Sequence, residues 1–117
     1  MTHHMRLFKE PFEQIKSGTK TIELRLNDEK RRQVKPGDFI EFTETKNPDS
    51  KIMTKVIALH SFGSFQELYE NLPLLQCGYT EADIADANPE DMNDYYSREL
   101  QEQYGVLGIE LALIANQ

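Results

Sequence analysis

The sequence predicts one α+β domain over residues 1–117: a small β-barrel of mixed or antiparallel strands, partly closed and decorated by short helices. Three observations point there. Apolar and polar residues alternate over several short stretches, as in Thr21-Ile22-Glu23-Leu24-Arg25 and in Ile109, Leu111 and Leu113 set against Glu110 and Ala112. That period of two belongs to strands with one buried face. Helical signals fall elsewhere, once before the strands and again just ahead of the last strand, which must therefore return to the sheet. Finally, 117 residues of which 38% are hydrophobic support one core and not two.

Met5, Leu7 and Phe8 begin a short strand or extended entry, with His3 and His4 on a frayed terminus. Pro11 suits the first turn of a helix, and Phe12 and Ile15 give it an apolar side before Gly18 stops it. The strand 21–25 follows, then a loop from Asn27 to Gly37 closed by the turn Pro36-Gly37-Asp38. Phe39 to Thr43 forms a second strand, and Glu44 to Ser50 a hairpin connection around Asn47-Pro48-Asp49. Lys51 to Phe62 reads as a long strand whose imperfect alternation predicts a bulge, with His60 packed near Phe62. Ser64-Phe65-Gln66-Glu67 is a capping box opening a helix that runs to Pro73. A short helix is expected from Thr80, and a longer one from Asn88-Pro89 to about Tyr104, where Gly105 ends it. Met92, Tyr95, Tyr96 and Leu100 give that helix its packing stripe. Val106 to Ile114 closes the chain as a strand.

The chemistry gathers at Lys20, Glu23 and Arg25. Glu23 and Arg25 share the face of the strand opposite Ile22 and Leu24, which is expected to be the exposed one. Gly18 lets the chain swing Lys20 to the same polar side. Such a trio is either a ligand-binding cluster or a solvated sheet edge of weak surface ion pairs.

Charge narrows the partners. The formal net charge of −7 argues against a protein that coats long nucleic acid. Its distribution is uneven: residues 16–35 carry seven bases against three acids, and residues 67–102 carry ten acids against Arg98 alone. A locally positive end suits a short anionic ligand in a restricted site. No apolar run is long enough to span a bilayer, so a soluble cytoplasmic protein is expected. A single cysteine, Cys77, fits a reducing compartment and reads as a small half-buried side chain beside Gly78, not a nucleophile. No CxxC or HExxH pattern exists and the three histidines do not space as ligands, so neither metal nor cofactor is expected.

The run Pro11-Phe12-x-x-Ile15-Lys16-Ser17-Gly18-x-Lys20-Thr21-Ile22-Glu23-x-Arg25, followed by Asp28-Glu29-Lys30-Arg31-Arg32 and Gly37-Asp38, resembles the ASCH domain family of the PUA-like superfamily. The family pattern GxKxxExR is matched by Gly18, Lys20, Glu23 and Arg25. Ser64-Phe65-x-x-Leu68-Tyr69, Gly78-Tyr79, Asp91-Met92-x-x-Tyr95-Tyr96-Ser97 and Tyr104-Gly105-Val106-x-Gly108-Ile109-Glu110 also resemble small stand-alone bacterial members, so the likeness covers essentially the whole chain.

The resemblance implies a PUA-like barrel with a cleft between barrel and helices, lined by Lys20, Glu23 and Arg25, that binds RNA or a nucleotide. Lys20 and Arg25 would then engage phosphate or ribose, Glu23 a base amino group or ribose hydroxyl, and Arg31 and Arg32 would extend a positive rim. Tyr95 or Tyr96 would supply a stacking face for a single-stranded or terminal base. An alternative is hydrolysis of an N-acylated nucleoside such as N4-acetylcytidine, with Lys20 and Glu23 catalytic. Some small members resemble amidohydrolases of this kind that place a threonine three residues after the lysine, where this chain has Glu23. A third reading is a protein-interaction domain that uses the acidic helical face.

Overall fold

The computed structural model describes residues 1–116. In chain order the elements are β1 (Thr2–Leu7), α1 (Lys9–Ser17), β2 (Ile22–Leu26), β3 (Phe39–Glu44), β4 (Lys51–Phe62), α2 (Phe65–Asn71), α3 (Arg98–Tyr104) and β5 (Val106–Asn116). Short 3-10 helices fill Arg31–Gln33, Leu74–Cys77, Ile84–Asp86 and Pro89–Asp94.

The five strands form one curled sheet in the order β1-β3-β4-β5-β2, a half-barrel with β1 and β2 at its two edges. β1 runs parallel to β3, and every other pair is antiparallel. The long strand β4 is bulged between Val56 and Ala58, which turns the sheet and leaves Ile57 pointing outward.

Two apolar clusters hold the fold. One fills the concave side of the sheet, where Phe12 and Ile15 of α1 meet Ile40, Phe42, Ile52, Val56 and Ile109. The other lies beneath α2 and joins Ile22, Leu24 and Leu26 to Phe65, Leu68 and Val106. Each large side chain so buried is worth roughly 1.5–3 kcal/mol. α1 stops at Gly18, whose φ of +89° is left-handed and suits glycine alone. That turn leads the chain from the concave core to β2 and fixes where Lys20 emerges.

Three local expectations are corrected. His3 and His4 are not frayed: β1 pairs along its length with β3, and the His3 imidazole lies 2.9 Å from Asp38 Oδ2. The short helix expected at Thr80 forms instead at Ile84–Asp86, after a turn in which Asp83 accepts from the Thr80 amide. The long helix expected over 88–104 is broken in two. Asn88 caps a 3-10 helix that ends at Asp94, and Ser97 Oγ accepts from the Leu100 amide to start α3 afresh. Asn93, Asp94 and Ser97 favour side-chain-to-backbone bonds over helix continuation. The break lets Tyr95 and Tyr96 leave the axis in different directions.

Candidate functional site

A cavity of about 590 Å³ lies between the half-barrel and the segment that follows α2. One wall comes from β1, the start of α1 and β2, including Arg6, Phe8, Gln14, Lys20, Glu23 and Arg25. The opposite wall comes from Tyr69, Gly78, Tyr79, Asp91, Tyr95 and Tyr96.

On the floor, Glu23 stands between two cations. Lys20 Nζ is 3.2 Å from Glu23 Oε1, and Arg25 Nε donates to Glu23 Oε2 at 2.7 Å. Lys20 Nζ also donates to the Cys77 carbonyl at 2.7 Å, and Arg25 Nη2 to the Arg6 carbonyl at 2.8 Å. The swing of Lys20 at the Gly18 turn thus brings it beside Glu23. The polar face of β2, however, is not exposed: the Lys20 and Glu23 side chains are only 8% and 6% accessible because the segment after α2 folds over them. Burial pushes the Glu23 carboxyl up, but the Lys20 and Arg25 charges outweigh it and hold the pKa below the usual carboxylate value. Burial likewise weakens the Arg25 cation, and the Glu23 charge more than restores it.

Tyr95 and Tyr96 play different parts. The Tyr96 ring stacks on Phe65 with centroids 6.2 Å apart and belongs to the packing. Tyr95 lines the cavity with its side chain 62% exposed. Arg31 and Arg32 lie outside the lining. Arg31 pairs with Asp28 at 3.2 Å, and Arg32 donates to the Asn27 carbonyl and sits over the Tyr104 ring.

Several further residues line the walls beyond the site candidates expected from the sequence. Arg6 is exposed at the cavity, makes no ion pair among the described residues, and stands one residue past Met5 in β1. Phe8 is 60% exposed on the same wall. Tyr69, Tyr79 and Asp91 form a chain: the Tyr79 hydroxyl lies 2.6 Å from that of Tyr69 and donates to Asp91 Oδ2 at 2.8 Å. Burial, reinforced by the bonds to Tyr69 and Asp91, pushes the Tyr79 hydroxyl pKa up, so it stays a donor. The repeated tyrosines were visible in the sequence, but only the fold shows that their hydroxyls meet.

Cys77 is buried, not half-buried as expected. Burial drives the Cys77 thiol up to about 11, leaving it protonated near neutral pH, and its backbone carbonyl is what the site uses. His60 lies outside the cavity lining, on β4, and pairs with Glu110 at 3.0 Å. Among the described residues no group of three or more His, Cys, Asp or Glu side chains could hold a metal ion. Nor is any helix among them long and apolar enough to cross a membrane.

The ASCH domain profile matches residues 5–115 of the sequence. The chain belongs to the ASCH domain family. Solved structures agree on the ASCH architecture. The crystal structure of the hypothetical protein PH0355 is 35% identical, covers 97% of this chain and 100% of its own, and superposes with a TM-score of 0.80. PF0455 from Pyrococcus furiosus, solved by NMR, is 34% identical over 97% of this chain and 98% of its own, with a TM-score of 0.73. A mutant of ZmASCH from Zymomonas mobilis, 17% identical, covers 99% of this ASCH chain and 72% of its own at a TM-score of 0.68, and speaks to the fold alone. None of the curated proteins matches the sequence.

Proposed function

We propose that this ASCH domain binds RNA or a nucleotide by taking one base into the cleft, from a chain end or an unstacked position. The observation that carries the reading is the cavity itself: about 590 Å³, with a buried Lys20–Glu23–Arg25 floor and an exposed aromatic ring, Tyr95, at its side. A flat base stacks on such a ring whatever its sequence, and single-stranded elements are the RNA features whose bases can be reached. Arg6, the wall cation without a carboxylate partner among the described residues, is the group placed to meet the attached phosphate.

The same floor favours binding over turnover. Both Glu23 oxygens already accept from cations and the carboxyl is held ionised. Lys20 is fastened to Glu23 and to the Cys77 carbonyl. A hydrolase acting on N-acylated nucleosides would need one of these groups released to move a proton. Incubation with a panel of N-acyl nucleosides, read for free acid, is expected to show none.

Tyr95→Ala tests the binding site with little risk to the fold, because the ring is mostly in solvent. Titrations with nucleotides, short RNAs and tRNA at two salt concentrations are expected to show the variant weaker by about 1–3 kcal/mol with an unchanged melting temperature. Full retention of affinity in the variant would remove the cleft from the account, and no binding by the parent chain would remove the function.

A further inference from the structure

Resting on the nucleotide reading above, we infer that the cleft selects a base bearing an exocyclic amine over the base with an oxo group at the same position. The Tyr79 hydroxyl has one hydrogen, and it is committed to the Asp91 carboxylate at 2.8 Å. The Tyr69 hydroxyl, 2.6 Å from Tyr79, must therefore direct its own hydrogen at the Tyr79 oxygen. Its oxygen then presents lone pairs alone to the cavity.

Gln14 repeats the pattern: its Nε2 donates to the Gly78 carbonyl at 3.0 Å, leaving Oε1 as the acceptor without a partner among the described residues. Each of the two facing walls thus carries an acceptor, Gln14 Oε1 on one and the Tyr69 hydroxyl oxygen on the other, whose matching hydrogen points elsewhere. An amine is complementary to such a surface. An oxo group in its place sets lone pair against lone pair, and desolvates both without a hydrogen bond. The floor supplies the complement, because Lys20 and Arg25 have N–H groups beyond those used on Glu23, Cys77 and Arg6, suited to the ring nitrogens or carbonyl of the same base.

The tyrosine chain sets the polarity at Tyr69, so removing its middle member should relax the preference. In Tyr79→Phe the Tyr69 hydrogen loses its acceptor and becomes free to donate into the cavity, where an oxo group can receive it.

The test compares isosteric pairs, cytidine with uridine and adenosine with inosine, together with oligo-C against oligo-U, on the intact chain and on Tyr79→Phe. In the parent chain the amine-bearing member of each pair is expected to bind at least about tenfold tighter, the discrimination one good base contact provides. In Tyr79→Phe the gap is expected to narrow to about threefold or less, with retained folding checked by thermal melting. Equal binding within each pair, or a preference for the oxo member, in the parent chain overturns the selectivity and leaves the nucleotide site standing. Binding of none of these ligands overturns both. Should Tyr79→Phe fail to fold, the parent-chain comparison decides alone.

Discussion

At the scale of single residues, Glu23 is the position on which the site turns. It is buried, it neutralises two buried cations, and neither Lys20 nor Arg25 has another carboxylate within ion-pair distance among the described residues. Glu23→Gln keeps the shape and removes the charge, stranding both cations, and is expected to destabilise the fold by about 3–5 kcal/mol in denaturant unfolding. The pH dependence follows from the depressed carboxyl. A group whose folded pKa lies below its ordinary value of 4.5 contributes stability above that value, lost as pH falls through the folded pKa. Unfolding free energy of the parent chain should therefore decline in acid below about pH 4.5, with a shallower decline in Glu23→Gln. The trio Lys20, Glu23 and Arg25 was legible in the sequence because its spacing is tied to one strand and one turn. Its burial was not, since the cover comes from residues 69–96, far along the chain, and no local pattern announces it.

At the scale of elements, strands read more truly than helices. Period two survives most cleanly in β3, whose burial alternates residue by residue. By contrast, β2 and the first half of β5 are buried on both faces, and Leu113, expected on the packed face of β5, is 39% exposed. The stretch 88–104 does not form one helix, because Ser97 supplies a second start between the cap at Asn88 and the stop at Gly105. The parallel pairing of β1 with β3 was equally invisible, being a choice of neighbour and not of conformation. Contact between β5 and α2 sets a further limit that the sequence shows only as a lone glycine. A Cβ at Gly108 would lie 2.7 Å from Leu72 Cδ1 and 3.4 Å from Ile22 Cγ2. Gly108→Ala is expected to cost about 1–2 kcal/mol by displacing the tip of Leu72. Combined with Leu72→Ala, the loss should be less than the sum of the two single losses, as a double-mutant cycle measures.

At the scale of the whole molecule, the open sheet explains why a cavity exists at all. β1 and β2 are edges, and where a closed barrel would have a ladder there is instead a gap crossed by the Arg25 Nη2 bond to the Arg6 carbonyl at 2.8 Å and by a weaker reach of Lys30 to the His4 carbonyl at 3.3 Å. Composition showed the uneven charge but misplaced its use. The basic run at Lys30 to Arg32 lies outside the cavity lining, whereas part of the acidic stretch, Asp83, Asp91 and Asp94, supplies one of its walls. Arg25→Met keeps the length of the side chain and removes the bridge. Amides of β1 and β2 are expected to exchange with solvent about tenfold faster or more in that variant, the worth of a charged hydrogen bond of about 1.5 kcal/mol, with those of β4 unchanged.

That bridge makes the guanidinium both a tile in the floor and the clasp between the two free margins of the sheet. A guest that touches both margins adds a second clasp, so the vessel should stiffen at its rim on filling. With a nucleotide in the cleft as proposed, protection of the Arg6, Leu7 and Arg25 amides is expected to rise with loading, a gauge of occupancy that hydrogen exchange reads without an attached label.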